Sequence, residues 1–551
     1  MVIIGITAGT HSSGICAIKN GIPVFSFEEE RFVRVKYAKD FENDFFRYPF
    51  SCGQHAKKLY GNILKEASLL TGFWDEHIIK DILRNIELPE LCNLPYIKVS
   101  HHEAHCNAAY YLSNFQEDAF VISMDGFGTQ HSAKFYLGSN GNLSYIDGID
   151  STRKSFGHYY TMLTEFLGWR RIKDEGKVVG MSSYGKFDSN LYDIFNKVIT
   201  IDGLKTDLDS NTDTILGGVY RDFYNEFFKR FGSVFYRYHP GGYDKRPDIA
   251  FNGQLVFEEK ILQIVNNLHK LYPHVRKIAL GGGVFANIKV NKRINDLPWV
   301  DEVFVTPPMG DEGLPLGSCF AAYKLKNPEF KPFRIKDMFL GVEYSNAEVE
   351  SDYWDRNKFL RLPYNAVQVA EELANGKIVG IIWGKYEHGP RALCNRSIVA
   401  NPSLPNTYDK INRKLQRNDY MPFAPVVIDK YVDDIFQVHK SRYTAEFMTM
   451  LYDTKKEWIH KLPAVIHPKD HTARIQIVTN LSNPKFYDLI NNFNNLTNIP
   501  VLLNTSFNVH DEPIVCSPKE GFVHLENGIV DLLVVGDYIF YKNTLAYSEG
   551  A

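Results

Sequence analysis

Short apolar runs separated by small-residue loops open the chain. Val2 to Ala8 reads as a strand, Gly9 to Ser13 as a loop and Gly14 to Lys19 as a returning strand turned by Asn20-Gly21. Ile22 to Phe27 follows and runs into EEERFVRVKY. The pattern recurs a hundred residues on. Ala119 to Met124 is an apolar strand ending on Asp125-Gly126-Phe127-Gly128, and SMDGFGTQHSAKFYLGSNG repeats the strand, glycine loop, Thr, His-Ser and Asn-Gly turn of GITAGTHSSGICAIKNG. Such a duplication predicts two related lobes facing a cleft. Before the second copy, Ala104, Ala108, Ala109 and Leu112 favour a helix that Ser113-Asn114 would end. Farther on, Asp248 is expected to cap a helix with apolar residues at helical spacing. After Lys324 the chain turns proline-rich, which predicts a linker over 336–355 between a first domain, 1–335, and a second, 356–551. The second domain would begin with a helix near Ala366 to Asn375 and a buried strand, IVGIIWG.

Candidate chemistry clusters in these patterns. His101 and His105 stand four residues apart, a helical spacing that lets two imidazoles bind one metal ion. Asp125 ends a strand, where open α/β sheets place ligands, and Asp311 lies between glycines in TPPMGDEGLPLGS. Two histidines at this spacing are more often a coincidence; the two glycine-flanked aspartates raise the odds. The set suits Fe(II), Mn(II) or Zn(II). His11 and His131 are candidate general bases, His11 the better one because its loop is richer in glycine and serine. Two further small-residue loops, GKVVGMSSYGK with Lys177 and Gly180, and ALGGGVFANIKVN with Gly282, Gly283 and Asn287, permit close backbone approach to a nucleotide or close strand–helix packing. Tyr220 to Arg246 interleaves aromatics with cations, either a clamp for a sugar or base or a helix pair packed on the body. In the second domain Arg391 and Arg396, then Ser506 and Asn508, follow or flank buried strands, with Arg413, Lys414 and Arg417 between them. Arginine forks beside Ser and Asn donors match phosphate oxygens.

Composition narrows the class. At 551 residues the chain holds two or more domains with well-formed cores. With 62 basic and 65 acidic residues it has no global field to recruit long nucleic acid or a membrane surface. No apolar run spans a bilayer, and the start reads as strand and loop, not as a signal peptide. The seven cysteines are scattered without a CxxC pair, which fits a reducing cytoplasm.

Taken together and in order, EEERFVRVKY, HHEAH, SMDGFGT, ALGGGVFANIKVN, MGDEGLPLGS, EHGPRALCNRSI, PFAPVV and NTSFNVHDEP resemble the O-carbamoyltransferases of antibiotic and nodulation-factor biosynthesis over nearly the whole chain. The resemblance implies an α/β protein: a duplicated amino-terminal domain of the actin/hexokinase superfamily, like the universal tRNA threonylcarbamoyltransferase, followed by a YrdC-like domain. It implies carbamoyl phosphate and ATP with Mg as co-substrates, a carbamoyl-adenylate, and transfer to a hydroxyl at a metal site, with Fe(II) preferred through the family. By motif, His101, His105, Asp125 and Asp311 become metal ligands and His11 the base. Arg391, Arg396, Ser506 and Asn508 become adenylate-forming contacts, with Lys177, Gly180, Gly282, Gly283, Asn287, Lys414 and Arg417 on the nucleotide. One departure stands out. In LQRNDYMPFAP the family lysine falls at Gln416 and its last arginine at Met421, so Lys414 is expected to replace one lost charge. The acceptor would be a sugar, a natural product or a hydroxymethylated nucleoside, with selectivity in Tyr220 to Arg246; a homodimer is allowed. Two other classes compete: a sugar-kinase-like phosphotransferase, and a non-catalytic nucleotide or RNA binder.

Overall fold

The computed structural model describes every residue except 10–11, 41–44, 47, 151–154, 209–244, 418–419, 421 and 544–551. Five strands form the first sheet: β1 (Val2–Thr7), β2 (Gly14–Lys19), β3 (Ile22–Glu28), β4 (Ala67–Gly72) and β5 (Tyr96–Lys98), in the order β3-β2-β1-β4-β5. The β1–β2 and β2–β3 pairs are antiparallel, whereas β4 lies parallel to β1 and β5 parallel to β4. A second sheet repeats the plan. It is built from β6 (Ala119–Gly128), β7 (His131–Ser139), β8 (Asn142–Ile149), β9 (Lys277–Gly281) and β10 (Glu302–Val305), in the order β8-β7-β6-β9-β10 with the same senses of pairing. The duplication read from two short loops is therefore a duplication of whole sheets.

Among the helices of this half are α1 (His101–Leu112), α2 (Glu175–Ser182), α3 (Arg246–Leu271) and α4 (Leu314–Lys326). α1 packs on β6 and β9, α4 packs on β1, β2 and β4, and the two helices pack on each other, so they fill the space between the sheets. Every residue of α1 except Glu103 is buried, His101, His102, His105 and Asn107 among them, so the helix lies in the core with its polar side chains needing partners there. Their closest approach is at Gly317, where an added Cβ would lie 1.9 Å from the Ala104 carbonyl oxygen.

Eight strands form the second half: β11 (Phe359–Pro363), β12 (Val379–Ile382), β13 (Arg396–Ala400), β14 (Ala424–Ile428), β15 (Gln476–Val478), β16 (Val501–Ser506), β17 (Leu532–Val535) and β18 (Tyr538–Lys542). Their order is β11-β18-β17-β12-β13-β16-β14-β15. The expected helix is Ala366–Ala374, capped by the Asn365 side chain on Val367 N–H and Gln368 N–H. Segment 336–355 bonds to both halves: Leu340 O accepts from Ser26 N–H at 2.9 Å, and Met338 O from His388 N–H at 2.8 Å. Other ties cross the seam directly, among them Thr444 Oγ1 accepting from Val305 N–H and Asn291 Nδ2 donating to Thr449 O.

Two local expectations are corrected. GKVVGMSSYGK is not a loop, since Glu175–Ser182 is helix α2. Asp248 is not the cap of α3, which begins at Arg246 with Pro247 in its first turn; Asp248 Oδ1 instead accepts Lys186 N–H at 2.9 Å. Among the described residues no helix is long and apolar enough to cross a membrane.

Candidate functional site

The first site starts from a helix terminus. Ser100 and Glu103 form a capping box that fixes the first turn of α1 and turns Glu103 back onto the cap, Ser100 N–H donating to Glu103 Oε2 at 3.0 Å. His101 and His105 then project from one face, and their Nε2 atoms lie 3.2 Å apart. Asp125 reaches the same point from the end of β6. Its Oδ2 lies 3.7 Å from His101 Nε2 and 3.2 Å from His105 Nε2. Asp311, on the turn that starts α4, places Oδ1 3.5 Å from both imidazoles. One ligand atom from each of the four side chains falls within 4.8 Å of the other three, and His101, His105 and Asp311 are buried. Two imidazole nitrogens and two carboxylate oxygens around one point are a donor set for a divalent cation.

Charge couples the members of the cluster to one another. Burial opposes protonation of His105, but Asp125 and Asp311 outweigh it and lift its pKa to about 9. Burial likewise opposes ionisation of Asp125, yet the two histidines hold it well below the carboxylate range. Asp125 is also oriented by backbone donors, Gly126 N–H at 2.6 Å on Oδ1 and Gly283 N–H at 3.1 Å on Oδ2. Gly282 makes the second possible. At φ 96° it lets the chain pass so near β6 that a Cβ would lie 2.1 Å from Met124 O. Gly282 and Gly283 thus place a backbone donor on the acidic ligand. His102, between the two histidines in sequence, points elsewhere. Its Nε2 donates to His131 O at 2.9 Å and its Nδ1 lies 2.8 Å from Ser123 Oγ; burial, with His101 and His105 nearby, pushes its pKa well below the ordinary value.

The second site lies between the halves. A cavity of about 260 Å³ is lined by Lys36, Lys173 and Lys177 from the first half and Arg391, Arg417 and Arg474 from the second, with Asp174 and Asp511 the acidic residues among the described lining. Ser506 and Asn508 line it too, as expected from NTSFN. The Nε atoms of Arg391 and Arg474 are buried and unpartnered. Burial, with Arg391 and Arg417 nearby, pushes the Arg474 guanidinium well below its ordinary pKa. Arg417 Nη1 donates to Thr505 Oγ1 at 3.1 Å, and Lys177 pairs with Asp174 at 2.9 Å. Clustered cations with unused buried donors match a polyanion such as a phosphate chain.

Six expected contacts are absent from this lining: Gly282 and Gly283, which lie beside Met124 and Asp125, and four others. Arg396 is fully buried and donates only to carbonyls, among them Cys516 O at 3.0 Å, Trp383 O at 2.8 Å and Val342 O at 3.1 Å, so it braces the fold. Lys414 faces Asp531 at 3.0 Å and Gly528 O at 2.6 Å, so it does not replace the charge lost at Gln416. Asn287 caps the helix Ile288–Asn295 and exchanges hydrogen bonds with Gln254. Gly180 is buried inside α2. His11, Met421 and 220–244 of the aromatic-basic stretch lie outside the described residues. His131 pairs with Asp150 at 2.9 Å. The sequence reading missed Lys36, Lys173 and Arg474. Lys36 sits inside EEERFVRVKY and could have been found there, whereas Arg474 belongs to no motif singled out.

Comparison with known proteins gives these sites a family. Residues 60–320 match the model "Carbamoyltransferase N-terminus" and residues 370–542 the model "Carbamoyltransferase C-terminus". The uncharacterised protein MJ1051 of Methanocaldococcus jannaschii is 32% identical over 98% of this chain and 100% of its own. The 3'-hydroxymethylcephem-O-carbamoyltransferase of Amycolatopsis lactamdurans is 26% identical over 67% of this chain and 65% of its own. Among solved structures, full-length HypF in its phosphate- and nucleotide-bound form aligns at 14% identity over 59% of this chain and 56% of that one, with a TM-score of 0.33. The two matched models span both halves, and with them both sites: this chain belongs to the carbamoyltransferase family.

Proposed function

We propose that this chain is an ATP-dependent O-carbamoyltransferase whose two half-reactions occupy the two sites. In this reading residues 356–551 are a YrdC-like domain that forms carbamoyl-adenylate, residues 1–335 are an actin/hexokinase-like domain that transfers the carbamoyl group, and 336–355 joins them. The observation that carries it is the cluster of Arg391, Arg417 and Arg474 with lysines of the other half around one cavity, two guanidiniums still holding unused buried donors.

In the cavity, water would cleave carbamoyl phosphate to carbamate and inorganic phosphate. A carbamate oxygen then attacks the α-phosphorus of ATP, its bond to the bridging oxygen breaks, and pyrophosphate leaves with its magnesium. The six cations neutralise charge on the phosphates, and Ser506 and Asn508 supply polar contacts beside them. Adenylation turns carbamate, a poor electrophile, into one with a good leaving group.

The transfer step belongs to the cluster of His101, His105, Asp125 and Asp311, which would hold a divalent cation such as Fe(II). When bound, that cation supplies Lewis acidity to an oxygen of the reacting group. The acceptor hydroxyl oxygen bonds to the carbamoyl carbon, AMP leaves, and His11 takes the hydroxyl proton. Gly126 and Gly283 N–H keep Asp125 oriented throughout. The acceptor in this reading is a small molecule bearing a hydroxyl, a sugar, a natural product or a hydroxymethylated nucleoside.

The test is incubation with ATP, magnesium, carbamoyl phosphate and labelled pyrophosphate, followed by an acceptor screen read by mass spectrometry. Label entering ATP only when carbamoyl phosphate is present, and acceptors gaining one carbamoyl mass, are the expected results. A phosphate ester in place of a carbamate would overturn the reading.

A further inference from the structure

The loop that carries Arg391 into the anion cavity is held largely by the other half of the chain. Within the second half Glu387 folds the loop on itself, its Oε1 accepting from Leu393, Asn395 and Arg396 N–H. Met338 O accepts His388 N–H, Gly341 and Val342 exchange backbone bonds with Tyr386, and Asn504 Nδ2 donates to Ala392 O; the side-chain grip on its buried turn comes from β3 and the residues just after. Gly389 N–H donates to Glu28 Oε1 at 2.7 Å, and His388 Nδ1 lies 2.8 Å from the same oxygen. The other ring nitrogen of His388 lies 3.2 Å from Ser26 Oγ. Arg31 donates to Glu387 O at 3.2 Å and Gly389 O at 3.0 Å, sits 3.4 Å from Glu28 Oε2, and stacks over the Tyr386 ring. Glu28, Arg31 and His388 are 3%, 0% and 1% exposed, so they are shielded from water and face one another, the loop and the neighbouring Glu30 and Glu312 carboxyl groups.

The position of this cluster matters as much as its burial. Gly389 has a φ of 110°, and a Cβ there would lie 3.2 Å from Pro307 O and 3.4 Å from Pro308 Cα, the segment that leads into Asp311. On its other side the loop continues through Pro390 to Arg391 in the cavity wall. The element bearing Glu28 and Arg31 also runs on to Lys36 in that wall. Arg34 adds two bonds of 2.7 Å to Pro513 O and Ile514 O, just after the Ser506–Asn508 turn. A buried salt bridge is weak evidence for stability, because desolvation offsets most of its attraction; its best-attested use is to fix one register between packed elements.

We infer that Glu28, Arg31 and His388 are positioning residues, set in the seam to hold Arg391 at the anion cavity and to register that cavity against the Asp311 loop. The inference rests on the reading of the cavity as the adenylate-forming site. It makes the second half's site a composite one, in which acid and base from the first half do not touch the phosphates but decide where the guanidinium that does will stand. Burial works against ionisation of Glu28, and His388, Arg31 and Gly389 N–H together overcome it, so the carboxylate stays charged.

The experiment compares full-length wild type with Glu28→Gln and Arg31→Lys. Two quantities are read: affinity for inorganic pyrophosphate by calorimetry, and the KM for ATP in carbamoyl-phosphate-dependent pyrophosphate exchange. Misplacing one charge-assisted contact predicts a weakening of pyrophosphate binding and a rise in KM of at least about tenfold, with metal content unchanged. Arg31→Lys, which keeps the charge but loses the fork to two carbonyls, should behave alike, and Glu28→Asp should recover part of the loss. Variants that melt earlier yet bind pyrophosphate as wild type does would reduce the cluster to a structural brace and overturn the inference. Should Glu28→Gln not fold, Arg31→Lys decides alone by the same comparison. Absence of exchange in wild type would sink the adenylate reading, whereas equal pyrophosphate affinities sink the inference even if exchange is strong.

Discussion

Asp311 and His105 approach each other because one stands at the start of a helix and the other one turn into its neighbour, although 205 residues lie between them. Removing either should empty the centre. His105→Ala and Asp311→Asn are expected to lose bound metal by more than the roughly 10–100-fold that loss of an outer partner costs, and carbamoyl transfer with it. Pyrophosphate exchange should survive in both, and elemental analysis beside the exchange assay checks this split. Arg391 and Arg474 give the opposite split. Replacing either with Met removes a charge-assisted contact worth about 1.5–3 kcal/mol, so exchange should fall about 10–100-fold while metal content holds. At this scale the sequence was a good guide to ligands and a poor one to cations. His101, His105, Asp125 and Asp311 were legible because helical spacing and strand ends fix direction. Arg396 and Lys414 misled because a cation near a glycine-rich segment looks the same whether it faces a phosphate or a carbonyl.

Between α1 and α4 the deciding contact is Gly317 against the Ala104 carbonyl. Ala at 317 forces the helices apart, and because α1 carries two ligands and α4 follows the third, stability and metal affinity should fall together. The stability cost is expected at about 1–3 kcal/mol or more, read by chemical denaturation, with metal affinity by titration. Gly282 illustrates the same point at the site itself. ALGGGVFAN could equally be a phosphate cradle or a close strand–loop contact on paper. Packing shows the close contact, since a Cβ on Gly282 would lie 2.1 Å from Met124 O.

For the molecule as a whole, one ion pair across the seam between halves contributes to the pH response. Arg334, just ahead of the joining segment, pairs with Glu446 of the second half. Burial raises the Glu446 pKa to about 7, with Arg334 opposing. Between the unfolded value and 7 the folded chain then binds more protons than the unfolded one. Stability from this group is therefore greatest at acid pH and declines, by up to about 1.4 kcal/mol per pH unit, as pH rises through that window. Glu446→Gln should flatten the dependence of the denaturation midpoint between pH 5 and 7, and an unchanged slope would count against it. The sequence alone determined the strands, the duplicated strand–loop–strand units, the helix bearing two histidines and the families of motif, since period, turn chemistry and capping act over a few residues. Only the tertiary structure decided that two sheets repeat one order, that the anion cavity draws cations from both halves, and that Glu28 and Arg31 grip a loop some 360 residues away. Those contacts depend on where burial and close packing leave each chain segment, and no local rule carries that information.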